Sequence, residues 1–215
     1  MKRIYLTSIP LDSNFPLEGA PFHPVNFTSQ YNKDTVLFPI VPIISDTLEP
    51  GEEGIVLAIH QANAPESENW EKFQAELGAL GKDNLTVVDP KFEERQDKDL
   101  LVSLFETITD QLQDDACYYA DITFGTKTYP MVMMSALSYA ENILENCTIK
   151  GLYYQEVRRE YNKELGRSVN REANLYDVTS IYLMNSIIGT VAGAPAAERK
   201  KLIHLLLNPL GGLNS

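Results

Sequence analysis

The stretch from Cys117 to Asn146 constrains the fold more than any other part of the chain, because it predicts a strand, a short loop and a helix in succession. The apolar and aromatic residues after Cys117 predict a strand that ends at Phe124. A helix is predicted to begin at about Tyr129, since Pro130 suits a first helical turn. Apolar residues at helical spacing then predict that one face of this helix packs on a sheet. These residues are Val132, Ala136, Tyr139, Ala140 and Ile143.

The loop of this unit, Thr123–Thr128, is a candidate site for an anionic ligand. The free N–H groups and the positive dipole end of a helix favour negative charge, and Lys127 adds a full positive charge at the same place. A purely structural interpretation is also open. In that case Gly125 provides a tight turn, Thr126 and Thr128 cap the helix with their side-chain oxygens, and Lys127 is a solvated surface residue.

The rest of the chain repeats this alternation of strands and helices. Buried strands are predicted at Lys2–Ser8, Gly54–His60, Leu85–Asp89 and Thr148–Val157. Amphipathic helices are predicted over Trp70–Leu80 and Lys98–Gln113. Such alternation predicts an α/β fold of the Rossmann-like type, with a mostly parallel central sheet flanked by helices and joined by right-handed crossovers.

Two segments interrupt this pattern. Leu11–Asp34 is rich in proline, asparagine and serine, and it predicts a long irregular loop, a kind of segment that is often functional. Thr35–Ile44 is strongly apolar, but Pro39 and Pro42 would remove two ladder hydrogen bonds from a strand. It is therefore predicted to be an edge or insertion strand.

The C-terminal part is predicted to form a β-hairpin followed by helices. The hairpin turn is expected near Asn162–Gly166 and the return strand at Arg171–Tyr176, and helices are expected from Asp177 and from Pro195 to Leu207. Residues 1–157 would then form the Rossmann-like core, and residues 158–215 would complete the same domain and end in a linker-like tail. Six basic residues against three glutamates between positions 150 and 171 are interpreted as a solvated hairpin, with ligand contact as the alternative.

Ligands of parallel α/β sheets bind outside the carboxyl ends of the strands. Three such strand ends can be identified in the sequence. The first strand ends in Thr7-Ser8-Ile9-Pro10, and the strand Gly54–His60 is followed by Asn63. The strand after Cys117 leads into the loop Thr123–Thr128. The candidate ligand-binding residues are therefore Thr7, Ser8, Ile9, Pro10, Asn63, Thr123, Phe124, Gly125, Thr126, Lys127 and Thr128.

Composition and motifs exclude several other functions. A formal net charge of −12 argues against binding to long nucleic acid or to an anionic membrane surface, and no apolar run approaches a membrane span. The phosphate-binding and nucleophile motifs of P-loop, dinucleotide and α/β-hydrolase enzymes are absent. The histidines, His23, His60 and His204, lack metal-ligand spacing, so no metal site and no cofactor are predicted. The cysteines, Cys117 and Cys147, are interpreted as reduced, buried thiols of a cytoplasmic protein.

The segment Asp121–Met131, with Ile149–Tyr154 after it and Leu175–Thr179 leading into a helix, resembles the CARF family, the CRISPR-associated Rossmann-fold sensors of type III CRISPR systems. The resemblance implies a homodimer that binds a cyclic oligoadenylate of four or six AMP units in a cleft on the two-fold axis. It implies that the ring contacts the end of the first strand and the loop Thr123–Thr128. The apolar face of the helix from Val178 to Gly189 is a candidate for part of the dimer interface.

The function expected from this resemblance is sensing of the ring and regulation of an effector, either fused at the C-terminus or separate. One alternative is a metal-independent ring nuclease that aligns a ribose 2′-hydroxyl with its phosphate, with Ser8 and Lys127 as the contributing residues. Another alternative is a different nucleotide-binding domain of the Rossmann-like type.

Overall fold

A computed structural model describes residues 1–10, 17–61, 68–92 and 97–211. The chain divides into two compact units, Met1–Asp177 and Val178–Ser215. The predicted ligand residue Asn63 lies outside the described residues.

The first unit contains strands and helices in alternation. Its strands are β1 (Lys2–Ser8), β2 (Ala20–Pro24), β3 (Thr35–Val36), β4 (Glu53–Gln61), β5 (Leu85–Val88), β6 (Lys91–Phe92), β7 (Ala116–Asp121), β8 (Thr148–Asn162) and β9 (Arg167–Asp177). Its helices are α1 (Ile40–Thr47), α2 (Glu68–Gly78), α3 (Lys98–Thr109) and α4 (Thr128–Ile143). The second unit consists of α5 (Thr179–Ala192) and α6 (Ala196–Gly211). The hairpin β8–β9 thus belongs entirely to the first unit.

The strands form one sheet in the order β3-β2-β9-β8-β7-β1-β4-β5, and β6 pairs with the end of β4. All pairings from β5 across to β8 are parallel, and β8 pairs antiparallel with β9. The predicted Rossmann-like α/β fold with a C-terminal hairpin is therefore confirmed. Strands β4 and β5 lie on one side of β1, and the strands that follow them in the chain, β7 and β8, lie on its other side. The order of the strands consequently reverses between β1 and β7.

Helices cover both faces of the central strands. On one face a single apolar cluster joins α1 and α2 to strand residues such as Tyr5, Val56 and Tyr119. Because side chains alternate along a strand, Ile4, Leu57 and other buried neighbours point to the opposite face. There α3 packs against α4, and α4 contacts β8. Burial on both faces explains why each of these strands contains an unbroken apolar or aromatic run: Ile4–Leu6 in β1, Ile55–Ile59 in β4 and Cys117–Ala120 in β7.

The prediction of a strand over Thr35–Ile44 was wrong, because only β3 at its start is extended and α1 begins at Ile40. Pro39 lies at the N-cap and Pro42 is the third helical residue. Backbone N–H groups in the first turn have no partner within the helix, so neither proline costs α1 a hydrogen bond. The apolar run fits a helix because almost every side chain of its first half is buried.

The prediction of an irregular loop over Leu11–Asp34 was wrong in part, because this segment contains β2; residues 11–16 lie outside the described residues. Strand β2 pairs in parallel with β9 from Phe22 onward and extends the sheet beyond the hairpin. The pairing partner lies about 150 residues away in sequence, which is why local patterns did not reveal it.

Two helices also differ from their predictions. In α4 the buried residues are Tyr129, Met133, Ala136, Leu137 and Ala140. The buried face is therefore displaced from the predicted one, and Ile143 is exposed. Helix α6 continues past the predicted end at Leu207, through Pro209 to Gly211. A proline near a helix end keeps a helical φ and removes only one hydrogen bond, so it need not end the helix.

Candidate functional site

The end of β1 and the loop after β7, the two principal predicted ligand regions, are in direct contact. Ser8 Oγ donates a hydrogen bond of 2.5 Å to the carbonyl oxygen of Phe124. Thr7 Oγ1 donates to Asp121 Oδ2 at 2.9 Å, and the Thr123 N–H donates to Asp121 Oδ1 at 2.9 Å. These bonds cross the position at which the strand order reverses, where open α/β sheets bind their ligands.

Asp121 is fully buried beneath this loop. Burial raises the pKa of its carboxyl group from 3.8 to about 6, and the hydrogen bonds from Thr123 and Thr7 oppose that rise. Sequence reasoning did not select Asp121 as a site residue. The signal available was a carboxylate at the end of a strand that is otherwise apolar and aromatic.

Gly125 forms the tight turn that the sequence suggested. Its φ is +93°, in the region that favours glycine. A Cβ atom at this position would lie 2.6 Å from Tyr129 Cδ2 and 3.1 Å from Ser8 Oγ. The loop can therefore approach β1 and α4 this closely only because the residue has no side chain.

The start of α4 differs in detail from the predicted capping by threonine side chains. Lys127 occupies the N-cap position with helical dihedral angles and makes no side-chain cap hydrogen bond. The Tyr129 N–H instead donates to the backbone carbonyl of Thr126 at 2.9 Å. The hydroxyl oxygens of Thr126 and Thr128 lie 3.1 Å apart. The Lys127 side chain is exposed, and no residue in the described ranges pairs with its ammonium group.

The predicted site residues that the structure describes are of three kinds: buried, half-buried and exposed. Thr7, Ser8 and Ile9 are buried, with 0%, 1% and 6% exposure, so their side chains support the loop from below. Gly125 and Lys127 are exposed. The half-buried members are Pro10, Thr123, Phe124, Thr126 and Thr128. A ligand on this surface would therefore meet the loop after β7 and Pro10.

A cavity of about 690 Å³ adjoins this surface. Its lining includes Pro10 and Phe124 from the predicted site, Asn69 from α2, and part of the hairpin. The hairpin residues are Gln155, Val157, Arg159, Gly166, Arg167, Ser168 and Asn170, and Leu17, Glu18 and Leu37 complete the described lining. Sequence reasoning interpreted the basic hairpin as solvated. Arg159 and Arg167 are exposed, as that interpretation expects, and they also border the cavity.

Polar contacts hold the hairpin side of this cavity together. Arg167 Nη1 lies 2.6 Å from Glu18 Oε1. Asn170 Nδ2 donates to the Glu18 carbonyl oxygen at 2.8 Å, and Arg159 Nε donates to Asn170 Oδ1 at 3.2 Å. The Gln155 N–H donates to Thr123 Oγ1 at 2.8 Å, which ties the hairpin to the loop after β7.

His60 lies beside the site, although no histidine was predicted there. It follows Ile59, which pairs with Ser8 of β1. Its ring is buried and stacks on Trp70 with 4.7 Å between centroids. His60 Nδ1 lies 2.5 Å from Asp89 Oδ1, close to it but not aligned for a hydrogen bond. His60 is therefore a buried ring that is held by packing against Trp70.

The cysteines are free thiols. Cys117 is buried as predicted, whereas Cys147 is only half-buried. Within the described ranges no group of three His, Cys, Asp or Glu side chains could hold a metal ion. No helix in the part of the chain that the structure describes has the length and apolar character needed to cross a membrane.

The sequence was compared with protein-family models and with curated proteins. No protein-family model matches the sequence. A search of curated proteins also found no match. Any assignment of function therefore depends on the fold and on the site at the carboxyl ends of β1 and β7.

Proposed function

We propose that this protein binds a cyclic oligoadenylate of four or six AMP units as a homodimer, and that it acts as a cytoplasmic sensor in type III CRISPR antiviral defence. The observation that carries the proposal is the loop Thr123–Thr128, which lies where the strand order reverses and is held on β1 by the Ser8–Phe124 hydrogen bond. The position of the loop and its attachment to β1 support the resemblance to the CARF family, and the proposed ligand class depends on that resemblance.

The chemistry of the loop suits a phosphodiester. The N-terminus of α4 supplies a positive dipole end, and the exposed Lys127 ammonium adds a charge that no described residue neutralises. In a two-fold dimer each subunit contributes one such anion site, and a cyclic oligonucleotide with an even number of units can itself have two-fold symmetry. The overall charge of −12 does not prevent binding, because the contacts are local.

Replacing Lys127 with alanine is expected to weaken ring binding at least about tenfold, because a charge-assisted hydrogen bond to phosphate is lost in both subunits. Calorimetry with cyclic tetra- and hexa-adenylate measures the effect. AMP or NAD at the same concentration should give no heat. The matched control is Lys150→Ala. Lys150 is also an exposed lysine, but it lies near the start of β8, at the amino-terminal ends of the parallel strands and away from the loop. The proposal is wrong if neither ring binds the native protein.

Sensing is favoured over ring cleavage by the position of Ser8. Its side chain is 1% exposed and its hydroxyl group donates to the Phe124 carbonyl, so it is not presented to a ligand on the surface. The ring should therefore be recovered intact from the calorimetry sample. Linear products with 2′,3′-cyclic phosphate ends would instead identify a metal-independent ring nuclease.

A shared ring requires two subunits, so light scattering should report about twice the chain mass of 24.1 kDa. Helix α5 offers an apolar stripe for the interface, because Ile181, Met184 and Ile188 are exposed at helical spacing. Replacing Ile188 with glutamate is expected to shift the protein toward the monomer. A protein that stays monomeric at all concentrations with the ring present would contradict the shared site.

A further inference from the structure

The distal part of the hairpin β8–β9, residues 158–171, extends beyond the neighbouring strands, and we call it the arm. Strand β7 pairs with β8 only as far as Tyr153, and β2 pairs with β9 only from Ala173 onward. Among the described residues, the two strands of the arm therefore pair only with each other. None of the residues of the arm is buried. A two-stranded hairpin alone is at best marginally stable in water, so the arm would gain stability by packing on a further surface.

The end of the arm exposes two large apolar side chains. Tyr161 has 63% exposure, and Leu165 has 59%. Tyr161 pairs with Ser168 in the last part of the ladder, and Leu165 belongs to the turn that joins the strands. Tyrosine is enriched among the residues that anchor protein interfaces, because it combines apolar area with a polar group. These two side chains therefore suit the anchors of a protein contact.

The arm is positively charged, although the protein as a whole is acidic. It contains five basic residues and two glutamates, whereas the chain has a formal net charge of −12. The basic residues are Arg158, Arg159, Lys163, Arg167 and Arg171. Within the described residues, Arg159 and Lys163 have no carboxylate at ion-pair distance. The arm is thus complementary in charge to the rest of its own chain.

The arm lies at the same edge of the sheet as the surface proposed for the ring. Because β8 runs parallel to β7, its extension projects past the carboxyl ends of the strands. Arg159 and Asn170 of the arm line the same cavity as Pro10 and Phe124, which belong to the ring surface. Each strand of the arm has five residues, so the arm is about 15 Å long. A ring shared by two subunits places this edge at the two-fold axis, within reach of the other subunit.

We infer that the arm docks on the acidic surface of a second copy of this chain, so that the two subunits of a dimer exchange arms. The inference rests on the proposed function for the position of the two-fold axis. Tyr161 and Leu165 supply the apolar contact, and Arg159 and Lys163 pair with carboxylates of the second copy. A nucleic acid is the less favoured occupant, because the negative charge of the chain repels it.

Sedimentation equilibrium without a ring measures the dissociation constant of the dimer. Replacing both Tyr161 and Leu165 with serine is expected to raise this constant at least about tenfold, because the interface loses its apolar anchors. The matched control is Tyr154→Ser. Tyr154 is also an exposed tyrosine of β8, with 43% exposure, but it lies outside the arm, so its replacement should leave the constant unchanged.

Two further measurements test the charge of the arm. Lys163→Glu should raise the dissociation constant, whereas Lys150→Glu, the same change of charge outside the arm, should not. Raising the salt concentration from about 0.05 M to about 0.5 M should weaken the dimer of the native protein about tenfold, because salt screens exposed charges. The salt titration needs no variant, so the inference stays testable if a variant does not fold.

An unchanged dissociation constant in the arm variants would overturn the inference, and so would a dimer that salt does not weaken. Binding of polyuridylate that depends on the arm, in a protein whose dimer does not depend on it, would overturn it in favour of a nucleic-acid partner. If a ring binds in a Lys127-dependent manner while the arm variants dimerise normally, the proposed function survives and the inference fails. If the arm variants weaken the dimer but no ring binds, the inference survives and the proposed function fails.

Discussion

Replacing Gly125 with alanine should lower the free energy of unfolding by about 2–5 kcal/mol and abolish ring binding. Two costs combine at this position. A φ of +93° is unfavourable for any residue with a side chain, and the new Cβ would lie 2.6 Å from the Tyr129 ring. The loop could relieve the overlap only by moving away from α4 and Ser8, which would remove the surface proposed for the phosphate.

Gly166→Ala is the matched control for this change. Gly166 also has a positive φ, of +64°, but no atom lies within 4 Å of its added Cβ. It should therefore cost only about 1 kcal/mol, from the backbone conformation alone. Urea unfolding of the native protein and of both variants measures how much free energy of unfolding each replacement costs. Equal losses of stability would show that the close approach of Gly125 to Tyr129 has no energetic consequence.

Replacing Asp121 with asparagine should make the protein less sensitive to pH, because the folded-state pKa of about 6 lies above the unfolded value of 3.8. The folded state then binds the proton more tightly than the unfolded state. The contribution of Asp121 to the free energy of unfolding should therefore fall as pH rises from about 4 to about 7. The difference in pKa corresponds to about 3 kcal/mol. Asparagine carries no charge to bury, so the variant should gain stability relative to the native protein over this pH range.

Urea unfolding of the native protein and Asp121→Asn at several pH values measures this gain. The control is Asp110→Asn, because Asp110 is exposed at the end of α3 and its replacement reports only the loss of one surface charge. If the free energy of unfolding changed with pH by the same amount in the native protein and in Asp121→Asn, the raised pKa of Asp121 would be contradicted. The hydrogen bonds from Thr7 and Thr123 to the carboxylate would then offset the cost of burial completely.

The sequence alone determined the central architecture. Strands β1, β4 and β7 contain apolar and aromatic runs, the first half of β8 is rich in apolar and aromatic residues, and helical patterns separate these strands. This alternation of strand and helix patterns is a local property that predicts a parallel sheet. It also predicted that Thr7-Ser8-Ile9-Pro10 and the loop Thr123–Thr128 follow the carboxyl ends of parallel strands, which lie on the same side of a sheet. Their direct contact was found only in the structure. The hairpin β8–β9 followed from its turn and its alternating strands.

Only the tertiary structure decided how the remaining segments fold. Whether Thr35–Ile44 forms a strand or a helix depends on burial and on residues that are distant in sequence. The apolar side chains of this segment enter the core. Just before α1, the Leu37 and Phe38 N–H groups donate hydrogen bonds to the Glu76 carboxylate of α2. The cavity beside the hairpin likewise needed the structure. Its members come from parts of the chain that are distant in sequence. A local sequence pattern shows how buried and exposed residues alternate along one segment. Which strands pair, and which residues enclose a cavity, depends instead on which segments of the chain lie next to one another in the fold.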